Sequence, residues 1–481
     1  MPVASERWAE SATASVDLFG HVLGRAELLI NQVSRDSREV MGDARQLYRQ
    51  VSHTALRWTD LVRGAPRWLR ILREVGRLAA SYRIEHARGQ VTPRSDQAME
   101  ELHRENAERI YQLCVDLGGG VLKVGQFLSC RPDLLPASYI DTLARLRDRV
   151  PPVAFDAIAE VIERELGPDR FASIDPEPVA TASLAQVHRA TRTDGRAVAI
   201  KVRLPGLEKT IAADAAAMTI AARLAADSLP GTDVETVVRE LIRALREEID
   251  FAVEADNLEQ AARDLDPAAR ALVPAVHRDL STSAVLTMDL VGGPSLGAYL
   301  ETATGDQRTA ILASLVDILC AQILRHGLFH GDPHPGNFLV TADATLALLD
   351  FGCVGRLSPS VRAAYAQAVV AAMTGDGARL AGVLTELGFV GRPESLAAAA
   401  DVLLEAVRDR DALARMAVDP QAALLGGLEQ MRSTPIEKVP HHFVLLGRVF
   451  GQVGGLLIHY QPTLDLPAIV MRHLVPSALP V

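Results

Sequence analysis

His330-Gly331-Asp332-Pro333-His334-Pro335-Gly336-Asn337, followed downstream by Asp350-Phe351-Gly352, is the stretch that decides the fold. Pro333, Pro335 and Gly336 make the first segment a stiff loop, because proline fixes φ and removes a backbone donor. That loop holds a carboxylate, Asp332, and five positions later an amide, Asn337. Asp350 leaves an apolar run, Leu346 to Leu349, and a carboxylate at the end of a buried strand needs a cation or several hydrogen-bond donors. Eighteen positions separate the two aspartates, room for one short hairpin of Phe338 to Val340 with Leu346 to Leu349. Asn337 and Asp350 together offer the oxygen ligands that a hard cation such as magnesium prefers. His330 and His334 would pair as metal ligands on a helix, but the prolines argue against a helix, so hydrogen bonding within the loop is expected of them.

Working outward, Ala197-Val198-Ala199-Ile200-Lys201 reads as a β-branched strand ending in a lysine. In this order the three motifs match the protein-kinase pattern. There the lysine holds the α- and β-phosphates of ATP, the loop aspartate orients the attacking group, and the asparagine and second aspartate hold magnesium. Lys201, Asp332, Asn337 and Asp350 take those parts. The expected fold is α+β, a two-lobed kinase-like architecture with a small β-rich N-lobe, a helical C-lobe and an added N-terminal helical extension. Strands are expected at Ala185 to Ala190 and Ala197 to Val202, joined by a turn at Thr193-Asp194-Gly195, and at Val285 to Leu290. Helix is expected from Asp233 to Gln260 and again from Ser360. Met288-Asp289-Leu290 is the expected hinge, with adenine read by the backbone groups of Met288 and Leu290.

No G-x-G-x-x-G precedes Lys201; Pro178-Val179-Ala180-Thr181-Ala182-Ser183-Leu184 stands there instead. Alanine adds a methyl group and loses the φ > 0 freedom of glycine, so phosphate contact must be reshaped. Further upstream lies Lys123-Val124-Gly125-Gln126, and between the first strands and the hinge lies Glu248-Ile249-Asp250. This combination resembles the UbiB family of atypical kinases, also called AarF-like or ADCK proteins, over most of the chain from Leu117 onward. The resemblance implies that Ala180, Thr181, Ala182 and Ser183 form an alanine-rich loop over the nucleotide, with threonine replacing one alanine of the usual run. It implies that Glu254 pairs with Lys201, and that Lys123 and Gln126 belong to a K-x-G-Q element tethered near Glu248 and Asp250. Without it, these acidic residues read only as a solvated helix face. There is no A-P-E motif and no long activation loop after Asp350, so a peptide substrate is not expected. The implied activity is magnesium- and ATP/ADP-dependent ATP hydrolysis or small-molecule phosphoryl transfer, serving a lipid or isoprenoid-quinone pathway partner. Two alternatives stand beside it. Aminoglycoside and choline kinases share the H-G-D-x-H-x-x-N loop but lack K-x-G-Q, and a pseudokinase could use nucleotide only as a switch.

The rest of the chain bounds this reading. Hydrophobic residues are 48% of 481, enough for a sizeable core, and aromatics are only 4%, so Ala, Val and Leu must build it. A formal charge of -10 argues against bulk binding to nucleic acid. Cys114, Cys130, Cys320 and Cys353 include no C-x-x-C pair and read as reduced thiols. The N-terminus lacks signal-peptide character, and Phe443 to Tyr460, the nearest approach to a membrane span, is interrupted by Arg448 and Gln452. A buried helix is expected there, in a cytoplasmic protein whose membrane contact is peripheral at most. From Trp68, Leu72, Val75 and Tyr82 recur at helical spacing against Arg67, Arg70, Arg73, Arg77 and Arg83, on a helix opened by Pro66. That helix either packs on the main domain or lies on an anionic membrane surface on the cytoplasmic face. The expected divisions are 1–95, helical extension; 96–165, helices carrying K-x-G-Q; 166–290, N-lobe; and 291–481, C-lobe.

Overall fold

The structure, a computed structural model, describes residues 58–89, 96–129, 135–146, 152–226, 234–408, 436–438 and 440–474. Cys130, Pro151 and the first part of the N-terminal extension fall outside these residues. Met1–Ala65 and Pro66–Val481 separate as two units, and the second carries the site.

The described chain begins with helices α1 (Trp58–Gly89), α2 (Asp96–Leu117), α3 (Gly119–Ser129) and α4 (Ala137–Leu143), then α5 (Phe155–Leu166). Strands β1 (Phe171–Thr181), β2 (Ala185–Arg192) and β3 (Ala197–Arg203) follow, then helices α6 (Leu207–Ala226), α7 (Val234–Glu248) and α8 (Phe251–Asp264). A short β4 (Ala271–Leu272) leads into β5 (Val285–Asp289). The N-lobe sheet is antiparallel in the order β1-β2-β3-β5. Its back is covered by α5, whose Ile158, Val161 and Ile162 pack with Val198, Ile200, Val202 and Val285.

The C-lobe contains α9 (Leu296–Thr302), α10 (Gly305–Ala321), β6 (Leu328–His330), β7 (Phe338–Val340), β8 (Leu346–Leu348) and β9 (Val354–Arg356). It continues with α11 (Pro359–Thr374), α12 (Gly377–Glu386), α13 (Pro393–Arg408), α14 (His441–Tyr460) and α15 (Leu466–Leu474). Its core runs from Phe251, Ala255 and Leu258 on α8 through Leu312, Leu315 and Phe329 to Leu446 and Val449 on α14. α14 covers the helix expected at Phe443 to Tyr460; Leu446, Val449 and Val453 are buried, while Phe450 is 61% exposed. By length and composition, Gly305–His326 is the described helix apolar enough to cross a membrane. Ile311, Leu312, Leu315, Ile318 and Leu319 of that segment lie in the C-lobe core.

Four sequence expectations shift. The first is β1, which has Pro176 and Pro178 within it and shows no strand pattern. It forms because it is the sheet edge and because its pairing slips between Ile174 and Pro178, so the missing donors leave few ladder bonds unmade. The second is the helical stretch from Asp233 to Gln260, which is divided into two helices. Asp250 breaks it by capping α8, its Oδ1 accepting the Ala252 N–H at 3.1 Å. The third is the start of α1, which begins at Trp58, so Pro66 is interior rather than its opening residue. The fourth is the arginine-rich face of α1. Arg67 donates to both carboxylate oxygens of Asp214 at 2.6 and 2.8 Å and to the carbonyls of Leu117 and Gly118. Arg70 pairs with Asp116, and Arg73 and Arg77 share Glu74. Ile71 is buried with Leu113, Cys114, Val121 and Leu143, and Val75 packs against the same cluster. Tyr82 bonds His103 Nδ1 at 2.6 Å and Tyr139 at 3.0 Å. Of the two readings of α1, this packing supports a helix docked on protein. The side chains of Trp68, Leu72 and Arg83 lie outside the described residues.

Candidate active site

Lys201 on β3, Glu254 on α8 and Asp350 just after β8 meet at the floor of the cleft. Lys201 Nζ donates to Glu254 Oε1 and Oε2 at 2.7 and 2.8 Å and to Asp350 Oδ2 at 3.3 Å. β3 can deliver the lysine because its neighbours Val198, Ile200 and Val202 anchor the strand on α5. Glu254 sits in the first turn of α8, beside the cap at Asp250, and α8 is seated by Phe251, which is 1% exposed. The Glu254 side chain is 3% accessible, whereas that of Asp350 is 43% accessible. Asp350 is therefore less enclosed than its place after a buried strand suggests.

Burial works against charge on all three groups. At Lys201 the Asp350 and Glu254 carboxylates outweigh it and hold the ammonium above the usual lysine range. At Asp350 the Lys201 charge and the Gly352 N–H outweigh it and hold the carboxyl below the usual range. At Glu254 burial prevails and pushes the carboxyl up to about 7. Two carboxylates thus share one ammonium. The open Asp350 carboxylate, held ionised, is the oxygen that suits a divalent hard cation.

The His330 to Asn337 loop is stiffened from within. His330 is buried between Phe338 and Phe351, with ring centroids 5.3 and 5.1 Å away, and its Nδ1 accepts the Asp332 N–H at 3.1 Å. Burial pushes its imidazolium pKa down, keeping the ring neutral. His334 Nδ1 accepts from Gly336 N–H at 3.1 Å and caps the turn Pro335–Asn337. Both histidines hydrogen-bond within the loop, and no group of three or more His, Cys, Asp or Glu side chains among the described residues is arranged to hold a metal. Asn337 Nδ2 donates to the Asp332 carbonyl at 2.9 Å, which turns its Oδ1 to other partners.

Asp332 is held by residues that sequence reasoning treated only as interruptions. Gln452 Nε2 donates to Asp332 Oδ1 at 2.7 Å, and Arg448 Nη2 lies 3.0 Å from the same oxygen. Both come from α14, more than a hundred residues downstream. Their signal was two polar side chains four apart in an otherwise apolar helix, hence on one face. Asn257 was missed as well. It lies one turn after Glu254, donates to the Phe351 carbonyl at 2.9 Å and accepts from Arg356 at 2.6 Å, locking α8 to the Asp350-Phe351-Gly352 turn.

The alanine-rich segment forms the turn between β1 and β2. Ala180 pairs with Val187, Thr181 with Gln186, and Ala182 N–H donates to the Ala185 carbonyl at 2.8 Å. None of these residues has positive φ, so this turn needs no glycine. Ala180 and Ala182 are exposed, but Ser183 is buried at 2%, turned away from solvent. On α3, Lys123 Nζ lies 2.9 Å from Glu248, while Asp250 is occupied as the α8 cap. Gln126 is half-buried one turn along α3 from Lys123. Gly125 is a packing residue: a Cβ there would fall 2.5 Å from Leu146 Cδ1 and 2.6 Å from Cys114 Sγ.

At the hinge, the Arg203 N–H bond to Ala284 sets the alternation of the β3–β5 ladder, so Met288 directs both backbone groups to Ala199. Its neighbours Thr287 and Asp289 bond outward to His277 and Ala275. Met288 thus sits within the ladder, paired with Ala199. Leu290 lies beyond the strand end.

Fold and site define a kinase-like protein with a lysine–glutamate pair that also meets Asp350, and a separate proline-rich loop carrying Asp332. Residues 145–384 match the ABC1 atypical kinase-like domain. Relatives include a chloroplastic aarF domain-containing protein kinase of Arabidopsis thaliana, 32% identical over 76% of this chain and 53% of that protein. The Arabidopsis chloroplastic protein Activity of BC1 Complex Kinase 3 is 31% identical over 84% of this chain and 56% of its own length. An uncharacterized Synechocystis protein is 34% identical over 59% of this chain and 74% of its own. The chain spans about half the length of the first two. A Mycobacterium tuberculosis protein solved in complex with erythromycin superposes with a TM-score of 0.57 at 27% identity, covering 80% of this chain and all of that one. The chain belongs to the UbiB (AarF-like, ADCK) family of ABC1 atypical kinase-like proteins.

Proposed function

We propose that this chain binds magnesium with ATP or ADP in the cleft and transfers the γ-phosphoryl group to water or to a small hydrophobic acceptor. The observation that carries this is the triad of Lys201, Glu254 and Asp350, with one carboxylate open. Asp350 and the Oδ1 of Asn337 are the oxygens that suit magnesium, and Lys201 is the cation for the α- and β-phosphates. Bound magnesium would neutralise phosphate charge as it develops. Asp332 would orient the attacking hydroxyl, Leu290 would meet adenine through its backbone, and Ala180, Thr181 and Ala182 would cover the phosphates.

The α3 helix, tied down by Lys123 to Glu248, and the short path from Gly352 through β9 to α11 favour a compact acceptor over a peptide. The resemblance to the UbiB family motivates service to lipid or isoprenoid-quinone metabolism, with a lipid-pathway partner at a membrane surface. The erythromycin complex of the mycobacterial neighbour motivates a second reading, binding of a bulky amphipathic small molecule in the same cleft.

The test is thermal unfolding with ATP or ADP, with and without magnesium. Ligand at about 100 times its Kd adds about 2.7 kcal/mol to the folded state. Wild type should gain that stabilisation only with magnesium, Asp350→Asn should lose it, and Asp332→Asn should keep it while turning over more slowly. Equal losses in the two variants would overturn this division of roles. Stabilisation by erythromycin alone would favour the second reading.

A further inference from the structure

The geometry points to Arg448 and Gln452 as positioning residues of the catalytic centre, delivered by the C-terminal helix α14 to set which oxygen of Asp332 receives the proton. This rests on the phosphoryl-transfer reading above. Both side chains converge on the same atom, Asp332 Oδ1, at 3.0 and 2.7 Å. With Oδ1 held twice and the backbone of Asp332 pinned by His330 and Asn337, the carboxylate cannot rotate freely, and Oδ2 is the oxygen presented to a nucleophile.

The Gln452 amide is itself informative. Its Oε1 is buried without a hydrogen-bond partner, an arrangement that calls for an explanation in a native fold. Turning the amide over would set that oxygen against the Asp332 carboxylate, so Gln452 is held for Asp332 rather than for its own satisfaction. α14 is rigid enough for the task, since Leu446, Val449 and Val453 anchor it in the C-lobe core. Arg448 and Gln452 lie one turn apart on a single face, where residues four apart adjoin.

Arg448 adds positive charge beside a group that must act on the attacking oxygen. A guanidinium there suits an aspartate that orients the nucleophile in a loose transition state more than one that must strip it of a proton early. The Arg448 side chain is 35% accessible, within reach of charge developing in the cleft. In the step, the oxygen of water or an acceptor hydroxyl forms a new bond to the γ-phosphorus. The bond from that phosphorus to the β,γ-bridging oxygen breaks, and ADP departs with the electron pair. The nucleophile's proton passes to Asp332 Oδ2 and then to solvent.

The experiment compares wild type, Arg448→Ala, Arg448→Lys, Gln452→Leu, Asp332→Asn and the double variant Asp332→Asn/Arg448→Ala. Each is assayed for magnesium–ADP binding by thermal shift and for steady-state ATP hydrolysis against pH. Arg448→Ala and Gln452→Leu should keep ADP affinity within about twofold while kcat falls about tenfold or more. Arg448→Lys should recover part of that loss. The double variant should be no slower than Asp332→Asn, because Arg448 acts through Asp332. Wild-type kcat in folded Arg448→Ala and Gln452→Leu, or fully additive losses in the double variant, would each overturn the assignment. Wild-type binding without any turnover would overturn phosphoryl transfer while leaving nucleotide binding in place. Absence of nucleotide binding in wild type would instead overturn the phosphoryl-transfer reading itself, and this assignment with it.

Discussion

Glu254 faces two demands at once, since Lys201 stabilises its charge while burial and the neighbouring Asp350 oppose it. Burial prevails, and the carboxyl is raised from 4.5 to about 7. The consequence for stability has a definite sign. A group whose folded pKa exceeds its unfolded one favours folding fully below the unfolded value, here below about 4.5, and loses that contribution as pH rises through about 7. Wild type should therefore lose stability relative to Glu254→Gln as pH goes from 5 to 8, in denaturant titrations without nucleotide. A difference between the two that does not change with pH would show that Glu254 is ionised throughout. Lys201, Asp332, Asn337 and Asp350 could be picked out in the sequence because each motif couples a residue type to a local shape. Arg448, Gln452 and Asn257 could not, because their roles are contacts with residues about ninety or more positions away.

At the scale of elements, two small residues illustrate opposite uses of space. Gly125 lets α3 approach α2 and the segment around Leu146. Gly125→Ala would gain helix propensity of up to about 1 kcal/mol. It would also force its methyl group within 2.6 Å of Cys114 Sγ, and overpacking costs about 1–3 kcal/mol. The expected outcome is a net loss of about 1 kcal/mol in urea unfolding, with Lys123 displaced from Glu248. Ala182 is the reverse case. Its φ is not positive, so Ala182→Gly relieves no strain and should cost about 0.5–1 kcal/mol through the unfolded chain. A changed ATP-to-ADP preference in the same variant would support the proposal that this turn covers the phosphates. Strands β2, β3 and β5 were legible from their branched residues, whereas β1 was not, because prolines are tolerated only at an edge that the sequence does not declare. The break at Asp250 was equally hidden: the same acidic pattern suits one long helix or two helices with a cap.

At the scale of the molecule, the N-terminal helices are joined to the kinase-like body by a buried ion pair. Asp214 retains 1% of its side-chain exposure and has Arg67 across from it at 2.6 Å. Burial pushes its carboxyl up despite that partner. Arg67→Ala would leave Asp214 uncompensated, and removing one member of such a pair costs about 3–5 kcal/mol. Chemical unfolding should show that loss, with partial recovery in Arg67→Ala/Asp214→Asn, while affinity for anionic vesicles stays near the wild-type level. A variant of unchanged stability that no longer binds vesicles would restore the membrane-surface role for this arginine.

The sequence by itself determined the kinase-like class and which short segments carry Lys201, Asp332, Asn337 and Asp350, because proline-stiffened loops, branched strands and acidic turns carry their geometry locally. Three matters were left to the tertiary structure: which way the basic helix faces, where the acidic helix breaks, and what holds Asp332. Each is a choice among partners distant along the chain. An arginine looks the same in solvent, at a lipid surface or against Asp214, and only packing brings Arg67 to Asp214 and Arg448 to Asp332.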